Sequence, residues 1–325
     1  MIAKLKSNRV RRTYLGGARI EAFTGEKISD DGWLRPEDWL ASTTTAFNGS
    51  VEIEGEGLGY LTDGRSVEAV VGKLPILVKL LDSDERLVVQ AHPTVPFARE
   101  FMNSPVGKTE CWYFLPGTTE EASVYLGFKP GITKERWRKA VENCCQAEAT
   151  SSEELLSLLH RVPVKAGDFV FVDGGVPHAI GGGCFMIELQ EPSDLMVVAE
   201  RWTPSGREIP EKKLHCGLGW EKMFEVYEYR GYEYDELCEK YVHRRRTGGG
   251  DSVERLLESR LTDKFSMWRM RGNGAALDLE RSATAIVIGG AGSINELPIN
   301  YGDRLIIQKE SKLILSGKVE LVVCS

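Results

Sequence analysis

The chain has no excess of positive charge: 41 Lys and Arg stand against 48 Asp and Glu over 325 residues, a formal net charge of −7. With no global basic field, nucleic acid and acidic lipid surfaces are excluded as natural partners, and an anionic ligand must be held by a few local cations. Long apolar runs are also missing. Residues 1–17, "MIAKLKSNRVRRTYLGG", carry the basic residues of a signal peptide without the apolar stretch that should follow, and "LPILVKLL" (74–81) is short and interrupted by Lys79. A cytoplasmic protein acting on a small molecule is the expectation. Cysteine occurs as an odd seven with no CxxC, and adjacent Cys144 and Cys145 have poor geometry for a mutual bridge, so reduced thiols are expected. Heptads and short solenoid periods are absent.

What is present is mostly strand pattern. The length suits about two domains of ~150 residues, or one large β domain. Residues 50–128 alternate β-branched or aromatic runs ("SVEAVVG", "LPILVKLL", "LVVQAH", "CWYFL", "ASVYLGF") with Gly, Pro and Asp turns, as in an antiparallel sandwich or barrel. A helical insertion is expected at about 133–161. Thr133 is a cap candidate, Trp137, Ala140, Val141 and Cys144 share a helical face, and Ser151 with Glu154 forms a capping box before "LLSLLH". Strands resume at "GDFVFVD", "CFMIELQ" and "LMVVAERW", closing a first unit at 1–205. A mixed connecting region, 206–262, holds a candidate helix in "SVERLLESRL" and a basic loop, "HRRRTGGG" (243–250), read as a surface turn because no Walker-type strand surrounds it. A smaller β unit, 263–325, follows.

Histidine is scarce, with five in the chain. His160, His215 and His243 fall in helical or loop contexts without neighbouring ligands and read as structural. His92 differs. It stands two residues after Gln90, and side chains two apart on a strand share a face. By the same parity Lys108 and Glu110 share a face in "GKTECWY". An amide oxygen, an imidazole and a carboxylate on neighbouring strands are three plausible ligands for a borderline cation such as zinc. A fourth candidate, His178, follows the turn in "GDFVFVDGGVPHAIGGG". A lone histidine beside a proline is usually a hydrogen-bonded structural residue; two in turn-to-strand contexts, with an acid nearby, favour the metal.

Taken together, "LPILVKLLDSDERLVVQAHP", "GKTECWYFL" and "GDFVFVDGGVPHAIGGGCFMIELQEPSD" resemble the short bacterial class I mannose-6-phosphate isomerases, zinc enzymes of the cupin superfamily. The resemblance covers most of residues 50–205. It implies a mainly β cupin fold (a double-stranded β-helix or jelly roll) with a helical insertion and a second, smaller cupin-like domain. It also implies one zinc ion on Gln90, His92, Glu110 and His178, with catalytic Lys108 and Glu188 and substrate-binding Asp194. The implied activity is interconversion of mannose 6-phosphate and fructose 6-phosphate through an enediol, with a sugar phosphate as the partner.

The chain departs from the family at two places. Val198 stands where members carry an arginine ten residues after the position of Glu188, and Leu15 stands where tryptophan commonly precedes the paired glycines. Valine offers none of the donors of a guanidinium. Arg201 is the nearby substitute, but its odd offset of three aims it at the other face of a straight strand unless a bulge or strand end turns it. Two other readings therefore stand beside the first: a non-catalytic metal-binding cupin that recognises a sugar or regulates, and an isomerase of a different sugar.

Overall fold

The computed structural model describes residues 1–28, 31–47, 53–146, 152–244 and 252–325. Among them, three antiparallel sheets account for the architecture. A seven-stranded sheet runs in the order Val242–His243, Phe169–Val172, Glu110–Phe114, Cys184–Gln190, Leu77–Ser83, Glu37–Leu40, Arg9–Val10. A five-stranded sheet runs Val197–Val198, Gln90–Ala91, His178–Ile180, Ser123–Phe128, Leu159–Pro163. From Leu77 to Val198 the chain passes repeatedly from one sheet to the other, which is how a jelly roll closes a sheet pair around one interior. The fold is mainly β and of the cupin type.

The central strands of the seven-stranded sheet are covered on both faces. Leu77–Ser83, Glu110–Phe114 and Cys184–Gln190 are buried along their whole lengths, so their few polar residues must find partners inside. On the outside of the five-stranded sheet, the helix Lys134–Gln146 lays Trp137, Ala140, Val141 and Cys145 into a cluster with Phe128 and Tyr227. Thr133 caps it, Oγ1 accepting from the Arg136 amide at 3.3 Å. Cys144 is only half-buried, so the fourth core position of this helix is Cys145.

The third sheet has Ile2–Lys4, Arg304–Ile307, Ala283–Ile294, Ser311–Cys324, Met267–Arg271 and Val253–Arg255 in order, with Ala276–Leu279 and Leu297–Asn300 attached at the sides. The N-terminal strand thus pairs with the C-terminal part of the chain, Ile2 opposite Ile307. A buried ion pair, Arg304 Nη1 to Asp38 Oδ2 at 2.7 Å, ties this sheet to the strand Glu37–Leu40.

Several local expectations change. "SVEAVVG" forms the short helix Val67–Val71: Ser66 accepts from the Ala69 amide and Gly72, with φ +74°, ends the turn, so capping chemistry overrides β-branching. "LLSLLH" splits into the helix Glu153–Ser157 and the strand Leu159–Pro163, which places His160 on a strand. Ser151 of the expected capping box lies outside the described residues, as do positions 245–250 of the basic loop. "SVERLLESRL" forms no helix: Val253–Arg255 joins the C-terminal sheet, where edge pairing to Met267–Arg271 outweighs helix propensity. "KLILSG" and "VELVVCS" are one strand, Ser311–Cys324.

Candidate metal centre and cavity

Pairing brings the predicted ligands together. His178 lies opposite Gln90 in the five-stranded sheet, and Glu110 stands on the facing seven-stranded sheet between Val172 and Gln190. Two glycines bring the connecting chain close. Gly175, at φ +89°, turns the chain before His178; Gly107 passes so near the Pro93 carbonyl that a Cβ would stand 2.5 Å from it, which presses Lys108 against His92.

His92, Glu110 and His178 are fully buried, and one ligand atom from each lies within 4.8 Å of the other two. The histidines are oriented alike. Nδ1 of His92 donates to the Leu195 carbonyl and Nδ1 of His178 to that of Val176, both at 2.9 Å, so each Nε2 lone pair faces the cluster. His92 Nε2 is 3.2 Å from Glu110 Oε2 and His178 Nε2 is 3.3 Å from Glu110 Oε1. Lys108 Nζ reaches His92 Nε2 at 2.8 Å and stands 2.9 Å from Glu110 Oε2, an ion-pair distance without hydrogen-bond alignment, for that oxygen has no aligned donor. The Gln90 amide nitrogen is 3.4 Å from His178 Nε2; turned over, the same amide presents oxygen. Burial, reinforced by Lys108, lowers His92 to about 3. Burial also lowers His178, and Glu110 is held well below the carboxylate range because Lys108 and the two imidazoles outweigh its desolvation. Neutral imidazoles and an ionised carboxylate are the protonation states a divalent cation needs, and the donor set suits zinc.

Gln90 and Lys108, which touch the cluster, also line a cavity whose walls include Glu188, Asp194 and Val198. Glu188 Oε1 accepts from Lys79 Nζ at 3.0 Å and lies 3.8 Å from Lys108 Nζ. Burial raises the Glu188 pKa against the pull of Lys79, and the nearby negative charge of Glu110 adds to the rise.

A second group of charges in the cavity wall was not singled out from the sequence. Glu37 accepts from the Tyr14 hydroxyl at 2.8 Å and the Trp39 indole at 2.7 Å, pairs with Arg12 at 3.0 Å and lies 3.7 Å from Lys79. Although burial opposes it, Arg12 and Lys79 hold the Glu37 carboxyl far below its ordinary range. Asp194 accepts from Arg12 at 3.2 Å and from the Phe47 amide at 2.9 Å, so its carboxylate is committed to the wall. The signal for Lys79 was its place within a wholly apolar run, since a charge in a two-face-buried strand requires a partner.

Arg201 is not brought to the cavity. It is half exposed and paired with Glu208 at 2.6 Å. The strand ends at Val198, and after the buried Ala199 and Glu200 the Arg201 side chain turns to solvent, so the strand end does not re-aim it into the cavity.

No protein-family model matches the chain. Its sequence is 29% identical over 260 residues to the mannose-6-phosphate isomerase ManA of Bacillus subtilis, covering 77% of this chain and 75% of that protein. It is 38% identical over 120 residues to the mannose-6-phosphate isomerase of Streptococcus mutans, covering 37% of this chain and 34% of that protein. A crystal structure of the mannose 6-phosphate isomerase from Bacillus subtilis superposes over 100% of this chain and 99% of its own, with a TM-score of 0.75 at 20% identity. In sequence over 77% of its length and in fold over all of it, the chain is similar to type I mannose-6-phosphate isomerases. These relatives support an isomerase, and the buried His–Glu–His group is the candidate metal centre. A family structure bound with zinc and yttrium also superposes, over 99% of this chain and 98% of its own, with a TM-score of 0.69 at 14% identity.

Proposed function

We propose that the protein interconverts mannose 6-phosphate and fructose 6-phosphate with one zinc ion on Gln90, His92, Glu110 and His178. The observation that carries this reading is the pair of imidazoles, each anchored through Nδ1 and turned through Nε2 toward one carboxylate, beside a cavity that also holds Glu188 and Lys108. The Bacillus relatives and the zinc-bound family structure support it.

Zinc, when bound, supplies a Lewis acid for a sugar oxygen. The side chains do the rest. Glu188, raised by burial, takes the proton from C2 of the open-chain aldose while O1 takes a proton from Lys108 to give the enediol; Glu188 then returns its proton to C1 as the O2 hydroxyl gives its proton back to Lys108 and O2 becomes the ketone oxygen. Lys79 keeps the Glu188 carboxylate in place between these transfers. Lys108 donates to the oxygens that carry negative charge during them. Arg12, fixed by Glu37 and Asp194, gives the cavity a rigid polar wall. In this reading the chain divides into a metal-binding cupin unit at 1–205, a connecting region at 206–262 and a C-terminal β unit at 263–325, whose sheet takes in Ile2–Lys4. No helix among the described residues is long and apolar enough to cross a membrane, and all seven cysteines are free, which fits a cytoplasmic enzyme.

One observation favours a second reading, a cupin that binds a sugar without isomerising it or that isomerises another sugar: the buried valine at position 198. The deciding experiment measures fructose 6-phosphate formation from mannose 6-phosphate by the purified protein, with added zinc and with chelator. Zinc-dependent turnover is expected. Its absence in a folded, zinc-loaded sample would favour the second reading.

A further inference from the structure

Four cations line the cavity: Arg12, Lys79, Lys108 and Lys213. Three are committed. Arg12 is paired with Glu37 and Asp194, Lys79 with Glu188, and Lys108 with Glu110 and His92. Lys213 is the exception. It stands in the last turn of the short helix Glu211–Leu214, which packs on the strand Val197–Val198, and its ammonium makes no hydrogen bond or ion pair with the described residues. A long cationic side chain that is held beside a polar cavity without a partner is poised for an anion that arrives from outside.

With the other three cations committed to groups of this chain, the part of a ligand that Lys213 meets is its anionic group. We propose that Lys213 binds the phosphate of the sugar phosphate and so selects a phosphorylated hexose over a free one. This deepens the isomerase reading and rests on it for the identity of the substrate. Burial, with Arg12 adding to it, lowers Lys213 to about 8, which leaves the ammonium mostly protonated at neutral pH. Packing on the strand that carries Val198 lets Lys213 enter on the side where valine contributes no donor.

The test uses the purified full chain and the variants Lys213→Met, Lys213→Gln and Lys213→Arg, each checked for folding by circular dichroism. Calorimetry with hexitol 6-phosphate, an unreactive open-chain phosphate ester, is compared with the free hexitol. Loss of a charge-assisted contact should weaken hexitol 6-phosphate binding by about tenfold or more in Lys213→Met and Lys213→Gln, with Lys213→Arg retaining most of it. Binding of the free hexitol should change far less. In turnover, KM for mannose 6-phosphate should rise by a similar factor and kcat should fall less, the signature of a contact kept from ground state to transition state. Unchanged hexitol 6-phosphate affinity in both neutral variants would overturn the assignment, as would a loss confined to kcat. If the wild-type protein turns over no mannose 6-phosphate, the isomerase reading fails, and the hexitol 6-phosphate comparison still decides whether Lys213 holds a phosphate.

Discussion

Val198 lies directly opposite Gln90 in an antiparallel pair, and both side chains line the same cavity. An aliphatic side chain, 2% exposed, therefore stands next to a proposed metal ligand at the position where the family pattern carries an arginine. This pairing bears directly on how well the site isomerises. Val198→Arg should raise kcat/KM for mannose 6-phosphate by about tenfold or more, since a guanidinium there supplies charge-assisted donors to the cavity. Overpacking should cost about 1–3 kcal/mol of stability. Steady-state kinetics with urea unfolding checks both; a variant that folds and gains nothing would mean that the cavity works without a cation at this position.

Metal content should follow the ligand set. His92→Ala and His178→Ala should each reduce bound zinc, measured by elemental analysis after dialysis, by tenfold or more at limiting metal, because each removes an anchored imidazole. Full zinc retention by a Gln90→Ala, His92→Ala double variant would refute the assignment.

Acid should weaken the metal-free protein in a defined window. The folded-state pKa of His92, about 3, lies below the unfolded value near ~6.5, so the unfolded chain binds the extra proton first as pH falls between them. Stability should be full above that window and decline through it. Replacing His92 by an uncharged residue of similar size, His92→Gln, should flatten this part of the pH–stability curve in chelator-treated protein.

Turnover should carry the mark of Glu188. A general base acts only when ionised, and burial raises this carboxyl, so kcat/KM should fall on acidification with a midpoint above the ordinary glutamate value of ~4.3. Glu188→Gln should abolish most of the rate while leaving zinc content unchanged. A Glu188→Gln enzyme with near wild-type kcat would remove Glu188 from the role of base.

Glu37 should matter for stability more than its distance from the metal centre suggests. Glu37→Gln leaves Arg12 short of one of its two carboxylates and weakens the surroundings of Lys79, at a cost of about 3–5 kcal/mol. The wild-type carboxyl is depressed, so its contribution is present above the unfolded pKa and is lost as pH falls through the folded value. Thermal melts from neutral to strongly acid pH should show the Glu37→Gln deficit largest at neutral pH.

Much of the candidate site was legible because strand parity is local. Gln90 with His92, and Lys108 with Glu110, could be assigned to common faces from spacing alone, and the glycine-framed turn marked His178. The hub of Arg12, Tyr14, Glu37 and Lys79 was not legible, because its members come from chain segments up to 67 residues apart and none forms a motif. Arg201 followed its parity: an odd offset of three aimed it at the other face, and the strand end at Val198 did not turn it back, so it pairs with Glu208 outside the cavity. The helix Val67–Val71 shows the converse, a β-branched run overruled by a cap three residues long in its reach.

The sequence by itself determined the class of molecule and its candidate ligands: an acidic, thiol-reduced β protein whose alternating strands put an amide, two imidazoles and a carboxylate where a metal could meet them. Only the tertiary structure decided which charges neutralise one another. Ion pairing depends on distances between strands that are remote in the chain, and register sets those distances. Glu188 on Lys79, Arg12 between Glu37 and Asp194, and a Lys213 ammonium without a partner among the described residues all follow from how two sheets close over one cavity.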